Sequence, residues 1–180
     1  MPLYAAPDRD LDEIADLVNR AYRGTDGWTH EGEYLAGQRT DADALRVDLA
    51  ANPEARLLTL RDSIDGPLLG AIWLEPADEG AWYLGLLTVR PDLQARQLGR
   101  GLLAEAEAFV AARGARRVRM TVLNVRRPLI AWYERRGYRR TGETVAFPYE
   151  DQRFGVPRRD DLIFVVLEKT VEPTPTRSRT

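Results

Sequence analysis

The feature that most restricts this chain is a strand, a helix and a second strand in succession over residues 81–123. Ala81 to Val89 (AWYLGLLTV) is an almost wholly apolar run, and Pro91 ends it. Leu98, Leu102, Leu103, Ala106, Phe109 and Val110 then recur at helical spacing, predicting a helix over 97–113 with Gly114 as its stop. From Arg116 to Leu123 the period changes to two, with Val118, Met120 and Val122 apolar. A helix between two such strands returns the chain parallel to its start through a right-handed crossover. The carboxyl ends of the two strands are where a ligand is expected.

The remaining segments attach to this unit. Residues 2–6 read as a short strand, and Asp10 with Glu13 three residues later forms a capping-box pattern opening a helix over 10–22. Arg23 to Arg39 is a loop rich in glycine and polar-aromatic residues, followed by a weaker helix over 41–51. Arg56–Arg61, the Asp65-Gly66 turn and Leu68–Leu74 read as a hairpin leading into the 81–89 strand. A helix from Pro128 to Arg136 with Gly137 at its C-cap, a strand from Tyr138, a loop over 147–161 and a last strand over 162–168 complete the order β-α-α-β-β-β-α-β-α-β-β. This is an α/β layout in one domain, 1–171. The apolar-free segment 172–180 is expected to be a disordered tail.

Composition removes several chemistries. With no cysteine there is neither a disulfide nor a thiol nucleophile, and a cytoplasmic location fits. One histidine, His30, and two serines, Ser63 and Ser178, leave little for a Ser-His-Asp triad, and no metal site is expected. No apolar run approaches the ~18 residues of a membrane span, and the start MPLYAAPDRDLDE lacks the pattern of a signal peptide. Charge is unevenly placed. Residues 1–80 hold 17 acids and 7 arginines, whereas 113–140 hold ten arginines against Glu134 alone. Either the two halves neutralise each other across solvated faces, or the second half holds a polyanion and the first a cation. A nucleic-acid surface is the third reading of the arginines, disfavoured by the net charge of -2.

The stretch LTVRPDLQARQLGRGLL, residues 87–103, ends a strand at a proline and opens a helix through a polar loop. A helix N-terminus offers unpaired N–H groups and partial positive charge to an anion. Gln94-Ala95-Arg96-Gln97-Leu98-Gly99, after Val89-Arg90-Pro91 and before Arg100-Gly101, resembles the Q/R-x-x-G-x-G/A loop of the GNAT superfamily of N-acetyltransferases. Gln97 stands where that family usually has its first motif glycine. A register two residues later, Arg96 to Gly101, also satisfies the pattern but displaces the V-x-P spacing. Further on, LIAWYERRGYRRTGE (129–143) is similar to the family's A-x-x-x-Y-x-x-x-G-F/Y segment, with Arg126 in place of the usual asparagine.

The resemblance implies a GNAT-type α/β fold, a mixed, largely antiparallel sheet flanked by helices with a splayed parallel strand pair. It implies acetyl-CoA as cofactor and direct transfer of the acetyl group to a primary amine in a ternary complex. Leu87, Thr88, Val89, Gln94, Ala95, Arg96, Gln97, Leu98, Gly99, Arg100, Gly101, Asn124 and Arg126 are the expected cofactor-binding positions. Tyr133 is the expected general acid. Glu31 is the candidate base, with Glu33 and His30 behind it. Trp28, Tyr34, Trp82, Tyr83 and Tyr149 are candidates for an aromatic wall around the amine. The expected partner is a small-molecule or peptide amine, with neither nucleic acid nor membrane, and loop 147–161 is long enough to reach a second copy in a homodimer. The alternative is a non-catalytic acyl-CoA-binding module of the same fold.

Overall fold

The computed structural model describes residues 2–173, apart from the side chains of Ala95 and Arg96. From residue 174 onward the expected tail lies outside the described residues. The elements in chain order are β1 (Leu3–Ala5), α1 (Leu11–Arg23), β2 (Leu35–Ala36), α2 (Ala42–Ala51), β3 (Arg56–Arg61), β4 (Leu68–Pro76), β5 (Ala81–Val89), α3 (Leu98–Ala111), β6 (Arg117–Leu123), α4 (Arg127–Glu134), β7 (Arg139–Ala146), β8 (Val156–Pro157) and β9 (Ile163–Thr170). Seven strands form one sheet in the order β1-β3-β4-β5-β6-β9-β7, and β2 pairs with β8 in a separate ribbon. Of the sheet's neighbouring pairs only β5 and β6 are parallel, which is the largely antiparallel α/β architecture expected.

The parallel pair is short. It runs through Ala81↔Arg117, Trp82↔Val118 and Tyr83↔Arg119, although β5 continues to Val89 and β6 to Leu123. Past Tyr83 the strands part, as the splayed pair was expected to. The cause lies in β5. Its register with β4 shifts between Ala71 and Trp73, where Leu86 takes a φ of 49°. An extra residue on one strand bends it and increases its twist, so β5 turns away. β6 meanwhile stays in register with β9 from Arg117 to Leu123.

β4 explains why the centre of the sheet reads as a continuous apolar run. Leu69, Ile72 and Leu74 pack with Leu102, Ala106 and Val110 of α3, whereas Leu68, Ala71 and Trp73 pack with Leu11, Ile14 and Val18 of α1. Both faces are covered, so both sets of alternate residues must be apolar. Gly70 is required where β4 meets β5, because a Cβ there would lie 2.6 Å from the Thr88 carbonyl oxygen. Among the described residues no helix is long and apolar enough to cross a membrane.

One local expectation is corrected. Asp10 and Glu13 form no capping box; both carboxylates accept from the buried Arg61 guanidinium, at 2.8 and 2.9 Å, which needs counter-charge more than the helix needs its cap. The loop 147–161 folds onto its own chain. β8 lies within it, and the Leu162 amide donates to the Tyr149 hydroxyl at 2.7 Å.

Candidate active site

The fork between β5 and β6 opens into two cavities. One, of about 620 Å³, lies toward α3 and α4. The other, of about 500 Å³, lies toward the β2–β8 ribbon and the loop that carries it. Tyr22, Leu87, Arg126, Leu129 and Tyr133 belong to the walls of both. Beyond the fork, the edge of β5 that faces β6 has no strand partner among the described residues, leaving backbone donors and acceptors free for a ligand.

The larger cavity gathers most of the expected cofactor-binding positions. Leu87, Thr88, Val89, Gln94, Gln97, Gly99, Arg100 and Arg126 line it. Pro91 to Arg96 forms a short 3-10 turn, after which Gln97 takes a left-handed conformation (φ 59°, ψ 15°) at the N-cap of α3. The conformation usually given to glycine is thus kept by a glutamine. The first bonds of α3 run from the Arg100 and Gly101 amides to the Gln97 carbonyl. The Leu98 and Gly99 amides precede them, at the positive end of the helix dipole. A Cβ on Gly101 would meet nothing within 4 Å among the described residues. Gln94 also holds the loop after α1, accepting from the Trp28 amide at 2.6 Å. Gln97→Gly is expected to stabilise the protein by about 0.5–1 kcal/mol through relief of the left-handed strain. The check is an upward shift of the denaturant midpoint at constant m-value, and a downward shift would show that the Gln97 side chain holds the loop.

Three expected cofactor residues are not wall residues of the larger cavity. Asn124 ties β6 to the start of β9, donating to the Asp161 carbonyl at 3.0 Å and accepting from the Ile163 amide at 3.2 Å. Leu98 packs against the core, and Gly101 lines neither cavity. The side chains of Ala95 and Arg96 lie outside the described residues. Trp132 and Arg136 are among the wall residues not singled out from sequence. The Arg136 guanidinium lies 3.5 Å from the centre of the Trp132 ring and donates to the Trp132 carbonyl. The signal for Arg136 was its membership of the 113–140 arginine run. Four other arginines of that run do different work. Arg117 and Arg119 pair with Glu168, Arg140 pairs with Glu134, and Arg113 covers the Phe109 ring.

Arg126 and Arg136 each keep a buried Nε without a hydrogen-bond partner among the described residues. Burial also lowers the Arg136 pKa from the ordinary arginine value, with Arg135 adding to the effect. Two under-satisfied guanidinium groups beside a helix N-terminus fit a ligand that carries phosphates.

Glu31 is buried in the wall of the smaller cavity, and the reason is its neighbours. Its two carboxylate oxygens accept from Arg23 and from Arg126, the latter at 2.9 Å. Arg23 also donates to the Gly37 and Phe154 carbonyls, and Arg126 to that of Thr29. The triad thus joins the end of α1, the loop after it, the loop around β8 and the start of α4. Glu33 is exposed, and His30 is half-buried with its Nδ1 unpartnered among the described residues.

Tyr133 is buried on α4, with Trp132 and Tyr138 packed edge-on at 5.0 and 5.6 Å. Burial pushes its phenol well above the ordinary tyrosine value, Tyr22 adds to the shift and Arg126 opposes it. Tyr22, the last residue of the helix expected over 10–22, is a wall residue of both cavities and is raised in the same way by burial. Nothing in a 3.6-residue period separates a tyrosine facing a cavity from one facing the core.

The expected aromatic wall is largely dispersed. Trp82 is buried against Phe109 in the core. Trp28 is exposed and borders the larger cavity, not the smaller one. Tyr34 lies under Arg159, and Tyr149 packs on Phe147; neither lines a cavity. Tyr83 alone of the five lines the smaller cavity, its hydroxyl 3.1 Å from that of Thr121 across the fork. Phe147, Phe154 and Phe164 supply the aromatic wall instead. The loop bringing Phe147 and Phe154 there has no periodicity by which the sequence could have assigned it.

Comparison with known proteins agrees with this geometry. Residues 11–138 match the family described as Acetyltransferase (GNAT) family. A mycothiol acetyltransferase of Clavibacter sepedonicus is 35% identical over 130 residues, which are 72% of this chain and 40% of that protein. One from Beutenbergia cavernae is 35% identical over 82 residues, 46% of this chain and 28% of that protein. The chain therefore matches less than half the length of these relatives. Among solved structures, the ribosomal-protein-S18-alanine N-acetyltransferase of Escherichia coli superposes with a TM-score of 0.69 at 14% identity, over 99% of this chain and 98% of that one. An aminoglycoside 6'-N-acetyltransferase complexed with coenzyme A gives 0.66 at 21% identity, over 98% and 100%. These two share the fold. With its fork, its glutamine-capped helix and more than two thirds of its length matched, the chain belongs to the acetyltransferase (GNAT) family.

Proposed function

We propose that the chain is an N-acetyltransferase that uses acetyl-CoA and a primary amine, held together across the fork between β5 and β6. The observation that carries this reading is the shared wall: Tyr22, Leu87, Arg126, Leu129 and Tyr133 border both cavities, so groups entering from opposite faces meet there. When bound, acetyl-CoA supplies an activated acetyl group. The Leu98 and Gly99 amides, with Arg100, Arg126 and Arg136, hold its phosphates. The unpaired edge of β5 at Leu87, Thr88 and Val89 takes up extended amide groups as a strand would. Gln94 and Gln97 shape the loop between, and Ala95 and Arg96 belong to the same loop.

Tyr133 holds a proton that the departing sulfur requires, and its raised pKa keeps that proton in place throughout the neutral range. Glu31 takes a different task from the one expected. Both of its oxygens are engaged by guanidinium groups, so its charge serves to position Arg126 instead of accepting a proton from the amine. The names of the two curated relatives support acetyl transfer.

Calorimetry with coenzyme A, followed by thiol release from acetyl-CoA across a panel of amines, tests the reading. Saturable binding of coenzyme A with amine-dependent thiol release is the expected result. Binding without release for any amine would favour the acyl-CoA-binding module, and absence of binding would overturn both.

A further inference from the structure

The smaller cavity also bears on which amine is accepted. Its ionisable wall residues, apart from tyrosines, are Glu31, Asp151, Arg39, Arg126 and Arg153. Both acids are already paired. Glu31 lies between Arg23 and Arg126, and Asp151 accepts from Arg153 Nε and a terminal nitrogen at 2.9 and 2.6 Å. Arg39 differs. Its amide is held by Asn19 at 2.6 Å, and its guanidinium lies 5.8 Å from the Tyr22 ring centre and 5.6 Å from that of Phe154. No carboxylate among the described residues pairs with it. The cavity thus offers a half-buried guanidinium without counter-ion, fixed between two rings, beside apolar walls from Leu35, Phe147 and Phe164.

This arrangement reverses the expectation that an acidic N-terminal half would meet a cationic amine. Most acids of that half, Asp12, Asp16, Asp26, Glu33, Asp43 and Asp48 among them, are exposed on the outer surface. A polycationic acceptor would enter a cavity with more arginines than carboxylates and no carboxylate free to receive it. A carboxylate, by contrast, matches the planar fork of a guanidinium. We infer that the acceptor is an amino acid or short peptide with an apolar side chain, whose carboxylate is bound by Arg39 while its amine faces the fork. The inference rests on the reading of the smaller cavity as the acceptor site. A volume of about 500 Å³ suits a ligand of that size.

The test pairs each apolar amino acid and dipeptide of a panel with its carboxamide, which has the same amine and side chain without the negative charge. Thiol release from acetyl-CoA is expected to favour the acids over the amides by about 10-fold or more in kcat/KM. Arg39→Met is expected to abolish that ratio, and Arg39→Lys to restore part of it. A separate calorimetric arm measures an N-acetylated apolar amino acid binding to the protein loaded with coenzyme A, with about 10-fold weaker binding expected in Arg39→Met. Amides used as well as acids, or an acid-to-amide ratio unchanged in Arg39→Met, would overturn the inference. If no amine of either kind releases thiol, the transferase reading fails, and the binding arm still decides the role of Arg39: unchanged affinity in Arg39→Met overturns it, and the expected loss supports it.

Discussion

Tyr133→Phe is expected to lower kcat by about 10²–10⁴-fold while leaving coenzyme A affinity nearly unchanged, because it removes one oxygen and keeps the ring. The edge-on contacts with Trp132 and Tyr138 survive the substitution, so the fold has no reason to respond. Single-turnover thiol release and calorimetry on the same preparation separate the two effects. An unchanged kcat would remove Tyr133 from the chemistry and leave it as packing. The pH dependence follows from the direction of its shift. A phenol raised by burial does not ionise in the neutral range, so the wild-type rate is expected to show no alkaline loss from Tyr133 below pH about 10. The sign for stability is the same. The folded state keeps a proton that the unfolded chain releases above pH about 10, so this contribution is present below that pH and lost as pH rises beyond it.

The second large effect is expected at Glu31. Glu31→Ala leaves Arg23 and Arg126 as buried cations without their shared counter-charge, at a cost of about 3–5 kcal/mol. For a chain of this length that is roughly a 6–20 °C fall in Tm. Glu31→Gln, which keeps the shape and one acceptor oxygen, is expected to lose less. A catalytic base would behave otherwise, with kcat lost and Tm kept. The comparison therefore decides between a strut and a base. Loss of the strut is also expected to raise KM for the acceptor, because Arg23 holds the Gly37 and Phe154 carbonyls that border the smaller cavity's loops.

Much of the architecture was legible because each element carries its own period. The 97–113 prediction and the observed α3 differ by one residue at the start and two at the end, since Leu102, Leu103, Ala106 and Val110 face one core. The two-residue strands β2 and β8 were not legible, because two residues hold no period. The loop that opens α3 stood out through proline, glycine and glutamine at fixed spacing. The smaller cavity did not, because Arg39, Phe147, Phe154 and Phe164 lie far apart in the chain and meet only in the tertiary fold.

The amino-acid pattern alone determined the order of the longer strands and helices, the parallel pair and the polar loop opening α3, since all three follow from local periodicity and chain direction. Only the tertiary structure decided the charge of the smaller cavity and the pairing of Glu31 with two guanidinium groups. Those depend on which guanidinium reaches which carboxylate across the fold, and a pairing between residues 31 and 126 leaves no trace in the spacing of either segment.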